Sequence, residues 1–179
     1  ETKADVFDTN DPEIKNARIQ LHSIKNSKTI KKEIEKFHKV KIVEEGTVPA
    51  KFCCHEYAAF HMTQLKSEEL NEKALSAIYT MGYLDRNNFL GHFEPTDSPQ
   101  IGDLVVYYNK ETPQAIKFGW WPHSGVFMGN NMVKSTWGDS GFVFEHPLFM
   151  VPNTFGNSIR YYKLQKYYTP SDLYNFFSN

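Results

Sequence analysis

His123-Ser-Gly-Val-Phe-Met-Gly-Asn-Asn-Met-Val-Lys-Ser-Thr136 reads as two strands and the turn between them. Ser124 to Met128 and Met132 to Thr136 are rich in β-branched and bulky residues, and Gly129-Asn130-Asn131 supplies residues that tolerate positive φ. Alternation puts His123, Gly125 and Phe127 on one side of the first strand and Ser124, Val126 and Met128 on the other. Turn length then sets the register. A two-residue Asn130-Asn131 turn pairs Val126 with Ser135 and leaves Ser135 on the face opposite His123, whereas a three-residue turn or a bulge returns it to the same face. Just upstream, Pro99-Gln-Ile-Gly-Asp103 is turn chemistry, followed by the strand-like run Leu104 to Tyr108. Downstream, Phe142 to Glu145 and Ile159 to Leu164 read as two more short strands.

Towards the N-terminus the period changes. Residues 1–12 read as a loose polar arm. Asp11 and Pro12 suit an N-cap and first helical position, and Ile14, Ala17, Leu21 and Ile24 recur at helical spacing. Ile30, Ile34 and Phe37 continue on a second, charge-rich segment. Glu44 to Pro49 reads as a loop closed by a proline. A helix follows from Cys54, a third is expected from Ser67 to about Met81 with Gly82 as its stop, and Ser171 to Phe177 reads as a short closing helix. Helices first and strands afterwards predict an α+β fold, a small antiparallel sheet with helices packed on it. Residues 1–45 are expected as a helical extension packed on the core, and 46–179 as the main globular unit.

Charge and length narrow the functional classes. The 179 residues carry 20 Lys and Arg against 21 Asp and Glu, a net charge of −1, so no basic excess is present to neutralise phosphates and nucleic-acid binding is not expected. No apolar stretch approaches the roughly 18 residues of a membrane span. Glu1 to Asn10 has no initiator Met and no apolar core. It reads as a processed start from which a signal peptide has gone, so secretion or the periplasm is expected over the cytoplasm, although a cytosolic chain would look the same. A monomer is expected.

The residue types with catalytic potential are Cys53, Cys54 and seven histidines. The adjacent cysteines cannot build a disulfide framework. Cys54 enters a helix after a proline-containing loop, where unpaired N–H groups favour a thiolate. Cys53 is rotated about 100° away and suits packing. His55 faces another direction, and His61 lies about 10 Å further along the helix axis, so neither serves as a base for Cys54. The base must come from the sheet, and His123, at a strand start with a glycine two residues on, is the best candidate. Trp120 and Trp121 beside it either wall a substrate groove or belong to the core. Zinc is disfavoured, because Cys53, Cys54, His55 and His61 offer no tetrahedral spacing, and no cofactor is expected.

Phe52-Cys-Cys-His-Glu-Tyr-Ala58, Gly102-Asp-Leu-Val-Val-Tyr107 and His123-Ser-Gly-Val-Phe-Met-Gly-Asn130 together resemble the NlpC/P60 superfamily of papain-like cysteine peptidases and amidases, over about 52–138. The resemblance implies a papain-like core with the nucleophile at a helix N-terminus. It implies Cys54 as nucleophile and His123 as general base, then acid. The family's third polar residue falls on Ser135, where Ser departs from the usual His, Asn or Gln. Relatives commonly cut peptidoglycan stem peptides, so a peptide or peptidoglycan substrate and amide hydrolysis through a thiolate–imidazolium pair are what it implies. The alternatives are an inactive peptide-binding member and a deamidase or transamidase acting on proteins.

Overall fold

Asp11 caps the first helix: its Oδ1 accepts from the Glu13 amide at 2.9 Å, and Pro12 opens α1 (Pro12–Ile24). In the computed structural model, the residues described are 5–7, 10–45, 54, 55, 57, 58, 61, 93–115, 121–138 and 141–164. α1 buries Ala17, Arg18 and Leu21, and the short α2 (Ile30–Ile34) buries both of its terminal isoleucines. Ala17, Leu21, Ile30 and Ile34 follow the apolar spacing expected from the sequence, with Ile14, Ile24 and Phe37 partly buried beside them; the burial of Arg18 was not expected.

The strands are β1 (Asp5–Phe7), β2 (Lys41–Glu45), β3 (Phe93–Pro95), β4 (Leu104–Tyr108), β5 (His123–Phe127), β6 (Met132–Thr136), β7 (Phe142–Pro147) and β8 (Ser158–Leu164). They form one eight-stranded sheet in the order β1-β8-β4-β5-β6-β7-β2, with β3 also on β8. Every pairing is antiparallel. β8 holds β4 along one edge, while β1 and β3 share its other edge end to end, at Ser158–Arg160 and Tyr162–Leu164.

This corrects the expected fold class. The small sheet with helices packed on it, and with it the papain-like core, gives way to a β-rich architecture: eight strands against two helices, α1 and α2, among the described residues, beside the helical residues 54, 55, 57, 58 and 61. The difference lies in the short strands. Asp5-Val-Phe7 is too brief to show a period of two, and it pairs with β8 instead of trailing as an arm. Lys41-Ile-Val-Glu-Glu45 is polar enough to pass for a loop at its end, yet it pairs with β7 through a register shift between Ile42 and Glu44. The expected helices at 67–81 and 171–177, and Cys53 and Trp120, lie outside the described residues.

Two faces follow from the registers. Val105, Tyr107, Phe127, Val133, Phe144, Ile159 and Tyr161 point to one face, where Ala17, Leu21, Ile30, Ile34 and the segment Phe149–Phe155 close a core. Leu104, Val106, Tyr108, Ser124, Val126 and Val143 point to the other, and they too are buried. A sheet sealed on both sides explains the near-continuous apolar run in β4, in which all five residues are buried.

The hairpin settles the register question. Val126 pairs with Lys134 and Phe127 with Val133, and the Met128 amide bonds the Met132 carbonyl. The loop is therefore three residues, Gly129, Asn130 and Asn131, all at positive φ. That places Ser135 on the His123 face, level with Gly125. A Cβ at Gly125 would meet Val133 Cγ1 at 2.5 Å and Lys134 O at 2.8 Å, so the space beside this glycine is taken by β6.

Candidate functional site

Cys54 is half-buried, carries a thiol and is helical, with His55, Tyr57, Ala58 and His61 helical after it. The residues that would mark the helix start lie outside the described residues. His55 is what ties this helical run to the sheet. Its Nδ1 is 2.7 Å from Ser124 Oγ and accepts from Trp121 Nε1 at 3.1 Å. An indole N–H only donates, so His55 Nδ1 is an acceptor and the ring proton sits on Nε2. The Ser124 hydroxyl therefore donates to the same nitrogen.

Trp121 is 1% exposed, with its indole edge against His55 at 5.6 Å between ring centroids. It holds the Cys54-bearing residues against β5 from inside and does not line an open groove.

His123 leaves β5 on the other face. It is fully buried, stacked on Phe155 at 4.1 Å and 17°, and tilted against Tyr107 at 5.1 Å. Neither of its ring nitrogens has a hydrogen-bond partner among the described residues, so Cys54 and His123 are not hydrogen-bonded to each other. Burial first, then electrostatic interaction with His55 and Lys25, pushes its pKa well below the ordinary histidine value. The imidazole is neutral. A buried ring with both nitrogens unsatisfied costs stability, which the stacking on Phe155 and Tyr107 offsets only in part.

Ser135 comes to the right face but is committed elsewhere. Its Oγ accepts from Trp137 Nε1 at 3.0 Å and lies 2.8 Å from His146 Nε2. His146 Nδ1 is 2.8 Å from the Pro147 carbonyl, which can only accept. The proton is thus on Nδ1, Nε2 accepts, and the chain runs Trp137 N–H to Ser135 O–H to His146 Nε2. Burial lowers the His146 pKa to about 3, partly offset by the Pro147 carbonyl. From the sequence His146 is one of seven histidines with no partner named, and this network was not expected. The signal available was the spacing Ser135-x-Trp137, which puts hydroxyl and indole on one face of a strand.

No three His, Cys, Asp or Glu side chains converge to hold a metal ion among the described residues. No helix among them is long and apolar enough to cross a membrane. Comparison with known proteins finds no matching family model, no matching curated protein and no matching solved structure.

Proposed function

We propose that the chain is a cysteine-dependent amide hydrolase in which Cys54 is the nucleophile and His123 its general base, acting on peptide bonds of the kind found in peptidoglycan stems. The observation that carries this reading is His123 itself: a fully buried imidazole with two unmade hydrogen bonds. Its sequence neighbour Ser124 receives His55, the neighbour of Cys54, across 2.7 Å. Consecutive Cα atoms are roughly 3.8 Å apart, so that contact brings the backbones of both reacting residues to the same end of β5. The ordered motifs around Cys54, Gly102 and His123 support the same chemistry.

Buried under Phe155, His123 is neutral, and a neutral imidazole is the form that can accept the thiol proton once it meets Cys54. The Cys54 S–H gives its proton to His123 as sulfur bonds the carbonyl carbon. The tetrahedral intermediate collapses, the C–N bond breaks, and the imidazolium protonates the leaving amine. Water, deprotonated by the same imidazole, then cleaves the thioester and restores the thiol.

A second reading has its own support: His123 lies against Phe155 and not against sulfur, as in a binding protein that has lost turnover. One experiment separates the two. Purified peptidoglycan is incubated with the wild-type chain and with Cys54→Ala, and released fragments are read by mass spectrometry. Fragments with new amine and carboxyl ends from the wild type alone support hydrolysis. Equal release from both ends the proposal. No release, with stem peptides retained by both proteins, selects the binding role.

A further inference from the structure

Among the described residues, the ring stacked on His123 is that of Phe155, and the turn that carries Phe155 lies between α1 and β4. Phe155 lies in the turn Asn153–Phe155, which ends at Gly156. Arg18 Nη2 donates to the Asn153 carbonyl at 3.4 Å and also to the Gly156 carbonyl, and its guanidinium lies 6.0 Å from the Phe149 ring. One turn along α1, His22 Nδ1 is 3.2 Å from Thr154 Oγ1. Further along, Lys25 Nζ donates to the same hydroxyl at 3.5 Å and sits 5.4 Å from the Phe155 ring. Arg18, His22 and Lys25 follow helical spacing and form a single stripe facing the turn.

The far side of the turn is pinned to the sheet. Gly156 has φ +111°, and a Cβ there would meet Tyr108 backbone atoms at 2.7–2.9 Å. The Asn157 amide bonds the Tyr108 carbonyl at 3.0 Å. The turn is thus fixed on the β4 side by backbone and on the α1 side by side chains. Of the side-chain contacts, those of His22 and Lys25 are solvent-exposed, whereas Arg18 is buried.

We propose that α1 and the 153–156 turn form a strap that closes Phe155 over His123, and that release of the Arg18–His22–Lys25 stripe uncovers the imidazole. The strap is a regulatory device: closed, it keeps His123 out of contact with solvent, substrate and sulfur; open, it frees a base whose nitrogens are otherwise unmatched. The proposal draws its functional meaning from the catalytic reading of His123, but its test does not use turnover.

Diethyl pyrocarbonate acylates neutral imidazole nitrogen, and each modified histidine can be followed in time by peptide mass spectrometry. With the full chain at pH 7.5, exposed His38 provides the internal reference. In the wild type His123 should be modified far more slowly than His38. Arg18→Met keeps the aliphatic stem over Phe149 but removes both carbonyl contacts, and should raise the His123 rate about tenfold or more, as expected when a charged hydrogen bond leaves a closing equilibrium. Thr154→Val should give a smaller rise in the same direction. If circular dichroism shows Arg18→Met unfolded, Thr154→Val decides by itself. A wild-type His123 rate equal to that of His38, or folded variants whose His123 rate is unchanged, overturns the strap. Failure of Cys54→Ala to abolish cleavage would end the catalytic reading and leave this measurement standing, so the two failures are distinct.

Discussion

Replacing His123 by phenylalanine should make the protein more stable and inactive. The ring sits among Phe155 and Tyr107 and is 0% exposed, with both nitrogens unpartnered. Each buried polar atom left unsatisfied costs about 1–3 kcal/mol, and a phenyl ring of similar shape removes both. Phenylalanine is slightly larger, and overpacking returns part of the gain, about 1–3 kcal/mol where the core is tight. The net expectation is a stabilisation of about 1–3 kcal/mol. A chain of this size shifts by roughly 2–4 °C per kcal/mol, so Tm should rise by roughly 2–12 °C. Thermal unfolding by circular dichroism and urea titration at pH 7.5 measures it. Peptidoglycan cleavage by the variant should be absent. A variant less stable than the wild type would refute the reasoning, because it would mean that the imidazole nitrogens are satisfied and that His123 is an ordinary core histidine.

Ser135→Ala should do the opposite: it strands Trp137 Nε1 and His146 Nε2 together, lowering stability by about 2–4 kcal/mol, and a loss of turnover without that destabilisation would show that Ser135 orients the base instead. The buried histidines fix the sign of the pH dependence. His146 is depressed to about 3 from 6.5, so its contribution is complete above pH 6.5 and falls as the pH drops towards 3, reaching about 2 kcal/mol lost at pH 5. His123 adds to the loss in the same direction, and an unchanged urea midpoint between pH 7.5 and 5 would contradict both. Gly156→Ala should cost more than about 2 kcal/mol, since the new Cβ meets Tyr108 backbone at positive φ, and an unaltered Tm would mean that the turn does not hold that geometry. Asn130→Val at φ 51° should cost about 1–2 kcal/mol by urea titration, while Asn130→Gly should be near neutral.

The strands from β4 onwards, read by their β-branched, aromatic and bulky residues, were legible: β4 and β6 fall on the residues read from the sequence, and β5, β7 and β8 differ by a residue or two at their ends. α1 was legible because Asp11, Pro12 and the Ala17–Leu21 spacing all signal at once. β1 and β3 were not, because three residues show no period, and both exist only through pairing with β8, a contact distant in sequence. Of the proposed site, His123 was singled out by residue type and strand position and Ser135 by the resemblance, which gives no sign that its hydroxyl is taken by Trp137 and His146. The roles of His55 and His146 were not, since a histidine's partner is set by which strands lie beside it. His55 was dismissed as facing away from Cys54, yet facing away is what lets it bind Ser124 and Trp121.

β5 is the element on which the proposed chemistry turns, because its two faces hold different partners. Its even residue Ser124 takes the helical run that carries Cys54, and its odd residue His123 enters the aromatic core under Phe155. Mid-strand, two such groups would be separated by the sheet for good, since ladder bonds on both sides fix the direction of each Cβ. His123 is the first residue of the strand, following Pro122, a residue with no N–H to bind a neighbouring strand. An imidazole at that end has to clear only the strand terminus, not the sheet, to meet a group held beside Ser124. What stops it is the stack on Phe155 and Tyr107. Two unmet nitrogens push His123 out of the core, aromatic contact and the α1 strap keep it in, and loosening the strap should tip the balance towards the side of the strand where Cys54 is anchored.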